Sequence, residues 1–206
     1  MIAGGVALLL LVGWGVYGLL RGPSEPQHPP ATTSTTDASP PRSAEVGVGP
    51  RAIYPARDPE VFARQIADAL FTWDTRATAD LSEWAQVIVD VADADEALAA
   101  ASDVRSYLPT PGIWQQLRSY GTRQWLVIDS VSVPDAWSTA VTQAQPGQLP
   151  PGATAFTVEG TRHREGTWGA EPVATSRSVA FTVFIACERA EPCRLLRLSQ
   201  LDNPLR

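Results

Sequence analysis

Two cysteines and two histidines carry the soft metal-binding and redox chemistry open to this 206-residue chain. Cys187 and Cys193 lie in "FTVFIACERAEPCRLLRLSQL", flanked on both sides by strand-like apolar runs. If those runs pair as a hairpin, the two thiols bracket its loop and come within disulfide reach, provided the register sets them opposite each other. An oxidising compartment would then close a staple worth about 2 kcal/mol. Zinc is the competing reading. It needs about four ligands, and His163 is the one histidine of the folded region left to join the pair. Two inert buried thiols are the third reading. Hairpin geometry favours the disulfide, and a disulfide implies an extracytoplasmic domain.

The remaining candidates are thinner. His163, in "EGTRHREGTWG", has Glu159 and Glu165 as possible orienting carboxylates for a general base. A strand-end histidine facing solvent satisfies the same sequence. Asp74 follows Trp73 where a helix should stop, and reads either as a base in a cavity or as a helix-terminating residue. The run "DVADADEA" (Asp90, Asp93, Asp95, Glu96) resembles a calcium loop in charge alone. It lacks the central glycine, and twelve-residue loops begun at Asp90 or Asp93 end on Ala101 or Val104, neither of which supplies a bidentate carboxylate. A solvated helix face is the expectation there. No nucleophile elbow, P-loop, paired metal histidines or dinucleotide fingerprint occurs. The expectation is a protein that is not an enzyme, with no catalytic residues, no bound metal and no cofactor.

The elements that would position these residues are legible from the chain. Seven tryptophans, six of them after residue 70, supply large apolar surfaces for a core in the later three-quarters of the sequence. Asp58 suits an N-cap, Pro59 the first helical position and Glu60 the positive helix end. Phe62, Ile66, Leu70 and Trp73 then recur on one stripe. "LSEWAQVIVDVADADEALAAASDVRSYLPT" is helical in at least two pieces, with alanine-rich propensity over residues 92–107. "PTPGIWQQLRSYG" adds a short helix closed by Gly121. From residue 122 the pattern becomes β: "RQWLVIDSVSVPDAW", "ATAFTVEGTRHR", "PVATSRSVAFTVFIAC" and "CRLLRLSQL", with turns at "QPGQLPPG", "REGTWGAEP" and "ERAEP". Val179, Phe181, Val183 and Ile185 alternate toward one side, which should carry the core. Helices followed by antiparallel strands is the α+β order: three helices on a curved four-stranded sheet.

Upstream, residues 2–20, "IAGGVALLLLVGWGVYGLL", hold no charge and no proline. Nineteen residues rise roughly 28 Å as a helix, about the hydrocarbon thickness of a bilayer. Residues 1–21 therefore read as an uncleaved transmembrane anchor, since "LLRGPSEP" offers no small-x-small cleavage site. Residues 22–52, with seven prolines and eight serines or threonines before Arg51, read as a disordered linker of about 30 Å root-mean-square span. His28 lies in it as a solvated residue. Residues 53–206 form the domain. Arg21 alone favours a cytoplasmic C-terminal side; the cysteine pair outweighs it, giving a single-pass protein of the cell membrane with its C-terminal domain outside. The net charge of −6 argues against direct nucleic-acid binding.

"DPEVFARQIADALFTWDT" and the closing "FIACERAEPCRLLRLSQLDNPLR", behind an anchor and a stalk, resemble segments of small conjugation-associated membrane proteins from GC-rich Gram-positive bacteria. The element order over residues 53–206 is similar to the nuclear-transport-factor-two-like (cystatin-like) cone of inner-membrane scaffold components in type IV secretion. That resemblance implies a non-catalytic assembly component of a conjugative DNA-transfer channel. Its partners would be other membrane-embedded transfer proteins and further copies of itself. The expectation departs from that family in two ways: a chain without the family's usual cytoplasmic tail, and room for one cone. The same cone occurs in accessory membrane proteins of mammalian-cell-entry-type lipid importers, and in enzymes or small-molecule-binding domains whose cavity holds an acid–base pair, so fold leaves function open.

Overall fold

A computed structural model describes residues 49–206. The expected anchor (1–21) and most of the expected linker (22–52) lie outside the described residues. Among the described residues no helix is long and apolar enough to cross a membrane.

The first helix among the described residues, α1 (Pro59–Phe71), starts where its caps dictate: the Asp58 carboxylate accepts the Val61 N–H at 2.9 Å, with Pro59 in the first turn. Phe62, Ile66 and Leu70 are fully buried along its stripe. Trp73 is also buried but is not helical. Thr72 turns extended, and Trp73–Asp74 become a two-residue strand, β1, paired with the strand that follows the helices. The stripe thus ends one turn early, because backbone pairing with Gln124 offers Trp73 a ladder that a further helical turn would forgo.

Three more helices follow: α2 (Leu81–Val89), closed at its start by a capping box between Asp80 and Glu83; α3 (Ala97–Tyr107); and α4 (Pro111–Ser119), capped by Thr110. Strand β2 (Arg123–Ser132) then leads to α5 (Ala136–Gln143), the long strands β3 (Ala153–Trp168) and β4 (Glu171–Ala186), and the short β5 (Arg194–Leu198). The sheet is antiparallel throughout, in the order β1-β2-β3-β4-β5. The α+β class is as expected, with two corrections of count. Among the described residues there are five helices instead of three, and five strands instead of four, curled into a half-barrel. The additions are the second helix of the 81–107 stretch, which stands as two separate helices, α2 and α3; α5, folded from the "DAW" that reads as a strand end; and β1, too short to leave a periodic signal.

Register explains the curl. An extra residue at Asp129 interrupts β2 against β3, and another at Leu196 interrupts β5 against β4; such bulges bend and twist a strand. Opposite the first bulge, a Cβ on Gly160 would lie 2.5 Å from the Val127 carbonyl oxygen. Glycine there lets the two backbones approach. Val179, Phe181, Val183 and Ile185 all point into the core, with Val158 and Leu195 beside them and α1 laid across. Phe71, Tyr107 and Phe181 form an aromatic knot at its centre, with ring centroids 5.4–5.9 Å apart.

The two ends of the sheet differ. At one end, α5 and the C-terminal residues cover the outer face. Trp137 meets Phe184, the Thr157 hydroxyl donates to the Leu205 carbonyl, and the Leu205 N–H donates to Thr182 Oγ1. At the other end, β3 and β4 run on as a hairpin closed by Gly169-Ala170, with Gly169 at φ +62°, as a type II′ turn requires. The stretch "REGTW", with turn composition, is strand because the partner residues 171–174 continue the ladder.

Candidate functional site

Cys187 and Cys193 are joined as a disulfide across the β4–β5 connection. The loop is held twice more by backbone: the Cys187 N–H donates to the Gly152 carbonyl at 3.0 Å, and the Cys193 N–H to the Ala56 carbonyl at 2.7 Å. The staple therefore ties the last strand to both the start of β3 and the chain entering α1. Among the described residues no group of three or more His, Cys, Asp or Glu side chains is placed to hold a metal ion. The zinc alternative has no ligand set there.

Asp74, the carboxylate considered as a cavity base, does border a cleft. The cleft is about 550 Å³ and lies between the incoming residues 49–54, α1, Trp84 and the first residues of β2. Trp73, Trp84 and Trp125 give it aromatic walls. The expected linker end, 49–52, lines this cleft beside Ile53 and Tyr54. Asp74 is bound bidentately by its neighbour Arg76, with Nε 2.9 Å from Oδ1 and Nη2 2.6 Å from Oδ2, and also accepts the Arg76 N–H. Burial pushes its pKa up, but the hydrogen bonds and charge of Arg76, aided by Arg123, outweigh that and hold it below the usual carboxylate value. A carboxylate so stabilised is a weak base at neutral pH.

His163 stands apart from any acid. It stacks on Trp125, its cross-strand partner, with centroids 5.2 Å apart and planes 12° apart. Arg123 covers the same indole from 5.1 Å. The two carboxylates that could orient the histidine are engaged elsewhere: Glu165 pairs with Arg123, and Glu159 accepts from Ser130. Among the described residues no hydrogen bond or ion pair joins His163 to a carboxylate. The acid–base constellation that the sequence allows is not assembled.

The acidic run is not a helix face, as expected from its composition, but the connection between α2 and α3. Asp93 turns its carboxylate toward Arg194 at 3.4 Å, and its N–H donates to the Leu195 carbonyl. The run closes the helical layer onto β5 through the short Ala92–Leu195 bridge.

What the sequence reading passed over is the face opposite His163. Arg162 and Arg164 flank it and so point to the helix-bearing side of the sheet. Arg164 lies over Trp73, 5.2 Å from its ring centre, and donates from Nη2 to Gln124 Oε1 at 2.7 Å. Gln124 in turn donates to the Phe71 carbonyl at the end of α1. The guanidinium is thus relayed to the negative end of a helix. Period-two alternation in "TRHR" was the available signal; nothing in it announced Trp73. No family model, no curated protein and no solved structure matches the chain.

Proposed function

We propose that the protein is a non-catalytic, membrane-anchored assembly component, with its folded body outside the membrane, acting in a conjugative DNA-transfer channel through a nuclear-transport-factor-two-like cone. The observation that carries the assembly role is the β3–β4 hairpin. Both strands run sixteen residues. Ladder pairing of β4 with β5 is confined to Val183–Ala186, which leaves Glu171–Ser178 exposed along an open edge. Trp168, 67% exposed, stands at its tip beside Val173 at 47%. An unpaired edge flanked by apolar side chains is a template for adding a strand from another chain. The disulfide favours the oxidising side of a membrane. Asp74 and His163, each held in a structural contact, favour a binding role over catalysis.

The experiment is deletion and complementation in a host carrying the transfer element that encodes the protein. Deletion should lower DNA-transfer frequency at least tenfold. The wild-type gene should restore it, and a Trp168→Ala/Val173→Asp variant, present at normal level, should not. Wild-type transfer after deletion refutes the channel role; full rescue by the variant refutes the hairpin as the docking element.

The tryptophan-walled cleft favours a second reading, a small-molecule or lipid-binding accessory of a mammalian-cell-entry-type importer. Saturable quenching of tryptophan fluorescence by a brominated fatty acid, lost in Trp84→Ala, separates it from the first.

A further inference from the structure

The open edge of β4 carries a definite pattern of backbone groups. Ala180 and Thr182 turn theirs outward. The Ala180 carbonyl accepts the Asp202 N–H at 2.8 Å and the Ala180 N–H donates to Asp202 Oδ1 at 3.3 Å, while Thr182 exchanges bonds with Ser199. The β3–β4 ladder runs from Ala153↔Ala186 to Trp168↔Glu171 without a register shift, so the same alternation holds to the tip. Pro172, Ala174, Ser176 and Ser178 therefore present their backbone outward. Among the described residues nothing pairs with them on that side. Pro172 offers a carbonyl there but no N–H. The alternate residues Glu171, Val173, Thr175 and Arg177 bond inward to β3, and their side chains share one face.

An antiparallel strand must set outward residues against outward residues, so the registers open to a second β4 are few. Around a two-fold axis at Ala174, the Ala174 residues of the two copies bond each other twice. Each Ser176 N–H then reaches the Pro172 carbonyl of the other copy. Glu171 stands across from Arg177 on both sides of the axis, at the non-hydrogen-bonded positions where side chains approach closest. Among the described residues Glu171 has no ion-pair or hydrogen-bond partner of its own. The Arg177 side chain is 65% exposed even with Asp202 bound. An axis one residue nearer β5 drives Ala170 of the incoming tip onto Ala180, whose outward groups Asp202 already holds. An axis one residue nearer the tip breaks the Ala174 pair and sets Glu171 against Thr175. Sterics, hydrogen bonding and charge agree on one register.

We infer that the occupant of this edge is a second copy of the same chain, joined antiparallel about a two-fold axis at Ala174, with Glu171 of each copy paired to Arg177 of the other. This pairing rests on the reading of the hairpin as the docking element and names what docks. A two-fold interface needs one patch that complements itself. The acidic start and basic end of this single exposed segment meet that condition. Two five-stranded sheets then join into one. The contact is short, so monomer and dimer exchange with concentration.

The test is sedimentation equilibrium of the full-length protein over a wide range of concentration, in density-matched detergent that shields the apolar residues 2–20. Wild type should dimerise. Glu171→Arg and Arg177→Glu each set like charges across the axis twice, and each should weaken the dimer about tenfold or more. Mixed in equal amounts, the two variants regain opposite charges at both contacts and should form a heterodimer within about threefold of wild-type strength. Ala174→Pro removes the central outward donor, leaves the β3 ladder intact and should abolish pairing. Near-ultraviolet circular dichroism verifies the fold of each variant. If Arg177→Glu fails to fold without its Asp202 contact, Glu171→Arg and Ala174→Pro carry the comparison. A monomeric wild type, an undiminished dimer in Glu171→Arg, or a mixture no stronger than its components overturns the self-pairing. A monomeric wild type whose Trp168→Ala/Val173→Asp variant still loses DNA transfer means that the edge takes a strand from a different protein; the self-pairing then falls and the docking reading stands. A charge-dependent dimer in a protein whose deletion leaves transfer unchanged supports the self-pairing and refutes the channel role alone.

Discussion

Reduction of the Cys187–Cys193 bond should destabilise the domain measurably without unfolding it. The bond spans a sequence separation of 6. On the chain-entropy account, a loop of that size withholds about 2 kcal/mol of freedom from the unfolded chain. Reduction leaves the native contacts of the loop in place: the Cys187 and Cys193 N–H groups still donate to Gly152 and Ala56, and Leu195 stays buried in the core. For a domain of this size each kcal/mol corresponds to about 2–4 °C in melting temperature. The expected fall on adding a phosphine reductant is therefore about 4–8 °C, read by circular dichroism. A Cys187→Ala/Cys193→Ala variant should fall somewhat further, because Cys193 is buried and its sulfur fills space. Protein purified from its native cells and unfolded without reductant should show no free thiol. An unchanged melting temperature after verified reduction would refute the loop-entropy reasoning, and two free thiols in native material would refute the oxidising location.

Asp74→Asn should cost about 1–3 kcal/mol at pH 7, since it strips Arg76 of its charged acceptor. The folded carboxyl titrates below its ordinary value, so its contribution is complete above about pH 4 and fades as pH falls through the folded pKa. The gap between wild type and variant in urea melts should narrow as pH falls below about 4, and a constant gap down to pH 2 would contradict the ion pair. Tyr107→Phe should cost about 1 kcal/mol through loss of the 2.7 Å hydrogen bond to the Ser199 carbonyl. Burial foremost, with Asp103 and Asp202 adding, pushes that phenol up, so an alkaline absorbance titration should show one late step that the variant lacks. Gly152→Ala places a Cβ 2.2 Å from the Cys187 carbonyl oxygen at φ +70°. It should cost more than the ~1–2 kcal/mol of the left-handed conformation alone, and a loss under 1 kcal/mol by urea melt would show that the connection yields.

Local signals were legible where one short segment decides the outcome. Asp58-Pro59 sets the start of α1, the alternation from Val179 to Ile185 sets the buried face of β4, and the cysteine spacing fits the hairpin that carries it. What escaped depends on partners distant in the chain. Trp73 leaves its helix because Gln124, some fifty residues later, pairs with it. "REGTW" is strand because the residues after Gly169 return along it. The segment around Trp137 is helical although no side chain of α5 is fully buried, so no apolar stripe marks it. The surroundings of Arg164 needed two facts at once: the β2–β3 register and the position of Trp73. Alternation in "TRHR" gives the shared face of Arg162 and Arg164, but it cannot give the company they keep.

The distribution of stabilising contacts makes the functional reading separable from folding. At one end of the sheet lie the disulfide, β5, α5 and the Thr157–Thr182–Leu205 hydrogen bonds, with Val183 and Ile185 fully buried between them. At the other end, the outer half of β4 is exposed along its whole length, and Trp168 rests on Tyr120 with most of its surface in solvent. Substitutions there remove little buried area, so at about 25 cal/mol per Å² they cost little stability. Residues 171–178 pair with β3 on one side and have no strand on the other, an open edge of the kind that invites association. Loss of function from Trp168→Ala/Val173→Asp, with an unchanged melting temperature, is therefore evidence about binding. The same loss accompanied by a melting temperature several degrees lower would mean that the hairpin tip stabilises the domain, and the docking argument would fail on its own terms.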